Sequence, residues 1–180
     1  MNHEIRIFGD PVLREKARRI EVVDEKVRTL GREMIDIMRA SDGVGLAAQQ
    51  IGETLAICVI EVPEDYDRDD DGKRLNPELS MPMIILNPVI SGPSKKEESR
   101  EEGCLSFPGI RGAISRPKNI HLSYMNEQGE ARQLEVRGFT ARVIQHEVDH
   151  LNGVLFIDRM SAAKRFTLSG RLKRLREEGA

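Results

Sequence analysis

The stretch FTARVIQHEVDHLN, residues 139–152, is the part of the sequence that most clearly defines a structural element. Phe139, Val143 and Val148 place apolar side chains at helical spacing along it. Gly153 follows directly and is the residue type that commonly ends a helix. The sequence therefore predicts a helix over these fourteen residues, with one apolar face turned toward a core.

The same helix carries the residues HEVDH, positions 146–150, which match the H-E-x-x-H pattern of metal-dependent hydrolases. His146 and His150 are four residues apart, so both imidazoles lie on one face of the helix and can bind a single ion. Glu147 projects toward the neighbouring side of the site, where a carboxylate can take a proton from water. Because the pattern is short, two ordinary histidines on a solvated helix face are the alternative interpretation.

The third metal ligand decides the class of reaction. The extended zinc-endopeptidase pattern needs a histidine at position 156, where this sequence has Phe156. The glutamates after the helix, Glu177 and Glu178, stand at the end of the sequence, where a fraying terminus is a poor place for a ligand. Cys104, within EEGCLSFPG at 101–109, is a better donor.

A non-catalytic domain with a structural metal site is a third alternative. Structural zinc sites normally have four protein ligands. Beyond the cysteine and the two helix histidines no fourth ligand is evident in the sequence, because His3 and His121 lie in unrelated contexts. At this point a metal-dependent hydrolase, a zinc endopeptidase and a structural metal domain all remain open.

Composition and charge narrow the class of protein. The 180 residues have the size of one domain, and 39% hydrophobic with 32% charged residues is typical of a globular chain. A net charge of -2 gives no argument for DNA or for a membrane surface. No apolar run approaches the roughly 20 residues needed to span a bilayer, and the first residues lack the layout of a signal peptide. We expect a cytoplasmic protein, with Cys58 as a buried, inert thiol.

The remaining periodic segments predict an α+β fold. They are a helix capped by Asp24 and running to about Ala40, a buried strand at Leu55–Val62, a strand at Met83–Ile90 that Asn87-Pro88 makes an edge strand or a bend, a hairpin of 119–126 with 131–136, and a helical pattern from about Ser161 to Glu178.

Three separated segments resemble the signature motifs of the peptide deformylase family. They are GVGLAAQQIG at 43–52, EGCLS at 102–106 and QHEVDH at 145–150, in the order that the family has them. The likeness extends over nearly the whole chain, including DPVLR at 10–14 and LFIDR at 155–159. It implies one catalytic domain with mixed or antiparallel strands around a central metal-binding helix. The implied activity is removal of the formyl group from the N-terminal formyl-methionine of nascent polypeptides.

The resemblance also assigns roles to particular residues. It implies that Cys104, His146 and His150 bind the metal, that Glu147 is the general base and acid, and that Gln50 and the backbone N–H of Leu105 stabilise an oxyanion. The expected substrate contacts are Gly43, Val44, Gly45, Phe139 and Val143, with the glycines leaving room for a peptide backbone. The implied cofactor is one Fe²⁺ per chain, with Zn²⁺, Ni²⁺ or Co²⁺ as substitutes, because the donor set does not choose among them.

Two arginines depart from the pattern of some family members. Arg100 and Arg142 stand where those members have apolar residues that line the methionine pocket. We expect their aliphatic stems to cover apolar surface while the charged heads reach water.

The segment from Asp67 to Glu78 satisfies the EF-hand calcium-loop pattern, but its context contradicts that interpretation. A predicted strand ended by Pro63 precedes it, and Pro77 stands before the supposed ligand Glu78. An EF-hand loop joins two helices. We therefore interpret residues 64–80 as a solvated acidic loop.

A basic helical extension is predicted from about position 161. Leu168, Leu172 and Leu175 share one face, and the segment also contains Lys164, Arg165, Arg171, Lys173, Arg174 and Arg176. This cluster of positive charge in a slightly acidic protein predicts a contact with ribosomal RNA where nascent chains emerge. The alternative is a structural helix that packs its leucines on the core and leaves its charges in water.

Overall fold

A computed structural model of the chain describes residues 3–180. Its helices and strands follow the order α1 (Glu25–Ala40), β1 (Gly45–Ala47), β2 (Ile57–Ile60), β3 (Met83–Ser91), β4 (Glu97–Gly103), β5 (Arg111–Pro117), β6 (Asn119–Met125), β7 (Ala131–Arg137), α2 (Gly138–Leu151), α3 (Ala162–Thr167) and α4 (Ser169–Glu178). Single turns of 3-10 helix lie at Pro11–Arg14, Ala48–Ile51, Glu64–Tyr66 and Phe156–Arg159. None of the helices in this part of the chain is long and apolar enough to cross a membrane.

Five of the strands form an antiparallel sheet in the order β1-β2-β3-β6-β7. Side chains on a strand alternate between the two faces of a sheet. In β2, Ile57 and Val59 pack in the cluster that contains α1, whereas Cys58 and Ile60 pack in the cluster that contains α2. The sheet therefore lies between the two long helices, and the predicted α+β class is confirmed.

The strands β4 and β5 form a separate antiparallel pair. A third apolar cluster lies beside this pair and contains residues from both ends of the described chain, among them Phe8, Phe107, Phe156 and Leu172. This cluster places the segment that follows β4 against α4 and the N-terminal residues. Because the segment contains Cys104, the cluster also helps to position the candidate metal site.

The predicted helices at Asp24–Ala40 and 139–152 and the hairpin of 119–126 with 131–136 are confirmed within a residue or two. Asp24 caps α1 by accepting a hydrogen bond from the backbone of Val27. The last helical pattern is divided at Leu168 into α3 and α4. The strand predicted at Leu55–Val62 is shorter, and β1, β4 and β5 were not predicted.

The strand at Met83–Ile90 is not an edge strand, because β3 pairs with β2 on one side and β6 on the other. The alternative expectation of a bend is confirmed, since the register shifts between Leu86 and Val89. Asn87 has a φ of 51°, which the side chain stabilises through two hydrogen bonds of 2.8 Å to the backbone of Ile20.

The acidic loop is not fully solvated, because Asp67 is buried and accepts hydrogen bonds from Asn76 and Thr140. This network ties the loop to the first turn of α2. A carboxylate used in that way is not a free calcium ligand. The strand β2 and a single 3-10 turn, rather than a full helix, precede Asp67. Both observations support the rejection of an EF-hand.

Candidate metal centre and active site

The three predicted metal ligands lie together between α2 and the end of β4. His146 and His150 face the same side of α2, and Cys104 follows Gly103, the last residue of β4. The potential donor atoms of the three side chains all lie within 4.8 Å of one another. Cys104 Sγ is 3.3 Å from His150 Nε2. One thiolate and two imidazoles form a donor set that suits divalent iron, zinc, nickel or cobalt.

Glu102 orients one of these imidazoles. Its Oε2 is 3.1 Å from His146 Nδ1, so the other ring nitrogen is left to face Cys104. Burial tends to raise the pKa of Glu102, but hydrogen bonds with His146 and Arg116 outweigh it and lower the pKa to about 2. Glu102 is therefore a carboxylate that supports the site without belonging to the set of three ligands. From the motif EGCLS at 102–106, a metal ligand was predicted at Cys104, but no role was predicted for Glu102.

The two histidines differ in their electrostatic surroundings. Burial and the charge of His146 lower the pKa of His150 well below its usual range, which favours the neutral imidazole that binds metals. Burial also lowers the pKa of His146, but its hydrogen bonds with Cys104 and Glu102 outweigh burial and raise that pKa well above its usual range.

Glu147 is buried directly against the backbone of β1. A Cβ atom built on Gly45 would lie 2.3 Å from Glu147 Oε1, so the carboxylate occupies the space that a side chain at position 45 would need. Burial raises the pKa of Glu147 to about 7, while the positive charges of His146 and Arg116 oppose the rise. A carboxyl group with this pKa exchanges its proton near neutral pH.

Gln50 points its amide nitrogen at the same site. Its Oε1 accepts a hydrogen bond of 2.9 Å from the backbone of Ala47, which fixes the orientation of the amide. Its Nε2 lies 3.5 Å from Cys104 Sγ and 3.3 Å from Ser106 Oγ. Gln50 thus presents a neutral N–H donor beside the thiol.

A cavity of about 430 Å³ opens onto these groups. Gly43 approaches its wall closely, since a Cβ there would lie 2.9 Å from Leu105 Cδ1. His150 stands behind the wall, with a relative exposure of 1%. Every other residue that the sequence proposed for the site lines the cavity: Gly43, Val44, Gly45, Gln50, Cys104, Leu105, Phe139, Val143, His146 and Glu147.

The expectation for Arg142 is wrong. Instead of reaching water, its side chain is buried and its Nη1 donates to Glu102 Oε1 at 2.6 Å and to the carbonyl of Ile114 at 2.9 Å. Those acceptors offset part of the cost of burying the charge, so the head stays inside. The charged head of Arg100 reaches water as expected, because that residue is exposed and pairs with Glu98.

A chain of ion pairs, buried as far as Asp149, continues from Glu102 to α2 and ends at the half-exposed Arg159. Arg116 donates to Glu102 at 2.7 and 3.0 Å and to Asp149 at 2.8 Å. Arg159 closes the chain with a hydrogen bond of 2.6 Å to the other oxygen of Asp149. The network joins β4, β5 and α2, and so fixes the elements that carry the candidate ligands relative to one another.

Comparisons with known proteins agree with this geometry. The family model described as polypeptide deformylase matches residues 2–166. A peptide deformylase of Opitutus terrae is 44% identical over 93% of this chain and 90% of its own length. The crystal structure of peptide deformylase from Thermotoga maritima is 42% identical, with a TM-score of 0.78 over 89% of this chain and 99% of that one. A Synechococcus elongatus peptide deformylase, crystallised in complex with actinonin, is 36% identical, with a TM-score of 0.81 over 96% of this chain and 85% of that one.

Proposed function

We propose, from the premise that this chain belongs to the peptide deformylase family, that Cys104, His146 and His150 hold its catalytic metal. The chain is an amide hydrolase that removes the formyl group from N-terminal formyl-methionine of nascent polypeptides. The observation that carries the assignment of ligands is that the donor atoms of these three residues lie within 4.8 Å of one another. Three protein ligands would leave an ion able to bind water or substrate, as in catalytic rather than structural sites.

We assign proton transfer to Glu147. A divalent ion held by Cys104, His146 and His150 would lower the pKa of a water molecule and would polarise the formyl carbonyl. Glu147 takes one proton from the attacking water as its oxygen bonds to the formyl carbon. It then returns that proton to the amine nitrogen as the carbon–nitrogen bond breaks. The products are a free N-terminus and formic acid, which loses its remaining acidic proton to solvent to become formate. A carboxyl group with a pKa of about 7 suits both directions of transfer.

The attack leaves negative charge on the former carbonyl oxygen. We assign its stabilisation to Gln50 Nε2 and to the backbone N–H of Leu105. Both are neutral donors, and Gln50 is held in place by Ala47, so little reorganisation accompanies the reaction.

We assign substrate binding to the cavity wall and to the edge of β1. This strand lies at the edge of the five-stranded sheet and Gly45, its first residue, lines the cavity. A peptide can therefore pair with it as an added strand. The first side chain of that peptide then enters the pocket beside Val44, Phe139 and Val143.

The deciding experiment measures formate release from formyl-Met-Ala-Ser beside digestion of casein. A deformylase releases formate and leaves casein intact, whereas a zinc endopeptidase gives the reverse. Glu147→Gln is expected to lower turnover by at least about 10²-fold, with the metal content retained, because a general base is removed. Glu21→Gln is the matched control, since the side chain of Glu21 is 79% exposed. Equal turnover in both variants refutes the role of Glu147.

We propose Fe²⁺ as the native ion, with Ni²⁺, Co²⁺ or Zn²⁺ as substitutes. A thiolate ligand suits all of them, so family resemblance is what favours iron. The iron enzyme should lose activity in air, because a ferrous thiolate site is open to oxidation. Anaerobic purification followed by metal analysis tests this, and a fully active protein that contains only zinc refutes it.

We further propose that residues 1–180 act as one catalytic domain in the cytoplasm, where nascent chains are made. A contact with the ribosome through the extension from about 161 completes this proposal. The structure supports a double role for α4: Leu172 and Leu175 are buried in the third apolar cluster, while Lys173 and Arg174 are exposed. The leucines attach the helix to the domain. The exposed cations can reach RNA phosphates, although Lys173 also lies 4.0 Å from Glu177 Oε1.

Truncation would uncover the buried leucines, so charge reversal is the sharper test of this contact. Lys164→Glu, Arg165→Glu and Arg174→Glu together should weaken co-sedimentation with ribosomes at low salt. The control reverses three cations away from this segment: Arg19, Lys95 and Arg132, all of them exposed. Equal co-sedimentation of the two triple variants, or none of the native protein at low salt, rules out the contact.

A further inference from the structure

Arg142 forms a charged floor in a pocket that is otherwise expected to bind an apolar side chain. It stands four residues before His146 on α2, so it lies on the same helix face, slightly more than one turn or about 6 Å along the axis. It lines the same cavity as Val44, Phe139 and Val143 and is only 4% exposed. A cation in such a place is costly unless acceptors surround it.

Some N–H groups of the Arg142 guanidinium donate hydrogen bonds to the protein, and the others have no acceptor there. Nη1 donates to Glu102 and to the carbonyl of Ile114, and Nη2 donates to the carbonyl of Glu98. A guanidinium has five N–H donors, so these three bonds leave the Nε–H and one Nη2–H. Neither has an acceptor among the described residues.

The Nε atom of Arg142 is reached by solvent, although the residue as a whole is nearly buried. Among residues 3–180, four side-chain atoms are both sealed from solvent and without a hydrogen-bond partner: Gln49 Oε1, Arg74 Nε, Glu147 Oε2 and His150 Nδ1. Arg142 Nε also lacks a partner but does not belong to this sealed set. Arg142 lines the active-site cavity, so this cavity is the space from which a ligand would reach the donor.

We propose that Arg142 determines specificity at the floor of the pocket, by favouring a first side chain that carries a hydrogen-bond acceptor near its end. This inference rests on the proposed deformylase function. The thioether sulfur of methionine is a weak acceptor, whereas the all-carbon analogue norleucine has none. The sulfoxide oxygen of oxidised methionine is a much stronger acceptor in the same position. N-formyl-methionine sulfoxide peptides are thus a further substrate class of this enzyme.

The test compares kcat/KM for three peptides, formyl-Met-Ala-Ser, its norleucine analogue and its methionine sulfoxide analogue. In the native enzyme we expect methionine to exceed norleucine by about 3- to 10-fold, and the sulfoxide to stay within about 10-fold of methionine. Arg142→Met should bring the methionine-to-norleucine ratio to about 1 and should lower the sulfoxide by a further ~10-fold or more relative to methionine. Ratios between substrates are used because they do not depend on the amount of metal-loaded enzyme.

Arg100→Met is the matched control, because Arg100 is exposed and does not line the cavity. Its substrate ratios should equal those of the native enzyme. Arg142→Lys keeps a cation in the floor and should retain the sulfoxide activity better than Arg142→Met does. Identical ratios in the native enzyme and both Arg142 variants overturn the inference.

The native enzyme alone also provides a test that does not depend on how well the variants fold. If it rejects the sulfoxide by more than about 100-fold, or hydrolyses norleucine as well as methionine, the inference is wrong. If it hydrolyses none of the three peptides, the proposed function is wrong as well.

Discussion

The contact between Gly45 and Glu147 links a small residue directly to catalysis. Since a Cβ at position 45 would lie 2.3 Å from Glu147 Oε1, Gly45→Ala must displace the carboxylate. We expect kcat to fall by about 10²-fold, while KM and metal content change little, because the base is moved rather than removed. Steady-state kinetics with metal analysis check this.

Gly170→Ala is the control for Gly45→Ala. Nothing lies within 4 Å of a Cβ at position 170, and the residue is inside α4. That substitution should leave kcat unchanged and stabilise the protein slightly, by up to about 1 kcal/mol from helix propensity. An unchanged kcat for Gly45→Ala would mean that the carboxylate position is not critical.

Gln50 provides a second test at a single side chain. Gln50→Ala removes the N–H donor beside Cys104, and we expect kcat to fall by about 10²–10³-fold with little change in KM. A loss confined to KM would instead make Gln50 a residue that binds the ground state. Near-native kcat and KM would leave it with no part in the reaction.

The roles of Glu102 and Arg142 show the limit of interpreting residues from sequence. The spacing of His146 and His150 is a local property of a helix, so it predicts their shared face directly. Arg142 instead bonds to acceptors that lie 28 and 40 residues away in the chain, at Ile114 and Glu102. No pattern around an isolated arginine shows such partners, and the general tendency of arginine heads to reach water gave the wrong expectation.

The secondary-structure elements that could be predicted from the sequence are those stabilised by a local pattern of residues. The helices α1 and α2 have apolar residues at helical spacing, and α1 also has its capping Asp24. The strand β4 reads EESREEG and contains no large apolar side chain, so no alternation reveals it. It exists because β5 pairs with it over seven residues, which is a tertiary property. For the same reason the strand β1, with only three residues, was not predicted.

The bulge in β3 gives a prediction about the stability of the sheet. Asn87 bonds both backbone groups of Ile20 and tolerates a positive φ, so Asn87→Ala loses two buried hydrogen bonds and strains the backbone. We expect the free energy of unfolding to fall by about 3 kcal/mol, measured by urea denaturation.

Asn87→Gly separates the two causes of that loss. Glycine accepts the positive φ without strain but makes neither hydrogen bond. If it restores most of the stability, the backbone conformation is the main effect. If both variants are as stable as the native protein, the tether to Ile20 has no energetic importance.

The arrangement of the whole molecule was available from family resemblance rather than from periodicity. Apolar spacing predicted that the leucines of the last helical segment share a face, but not what they pack against. In the structure they complete a cluster with Phe8 and Leu13 near the other end of the chain. Contacts over such sequence separations depend on the complete fold, so local patterns do not reveal them.

The pair of Arg14 and Asp158 also joins the N-terminal segment to the residues after α2. Two hydrogen bonds of 2.5 and 3.1 Å connect the side chains, and Asp158 additionally accepts from the backbone of Leu155 at 2.8 Å. Burial raises the pKa of Asp158, but the hydrogen bonds from Arg14 and Leu155 outweigh it, so the pKa in the folded protein is lowered. The carboxylate form therefore stabilises the fold.

This lowered pKa predicts how the effect of Asp158→Asn depends on pH. The stabilisation is fully present above the unfolded-state pKa of about 3.9, and it is lost as the pH falls through the lower pKa of the folded state. At pH 7 the variant should be less stable by about 1 kcal/mol, since the pair is partly exposed, and the difference should shrink below about pH 4. Urea unfolding of both proteins at equal metal loading, at pH 7, 5 and 3.5, measures this.

In an Arg14→Met background the cost of Asp158→Asn should be smaller at pH 7, because the main partner is already absent. A cost that is independent of both pH and Arg14 would show that the ion pair does not stabilise the fold.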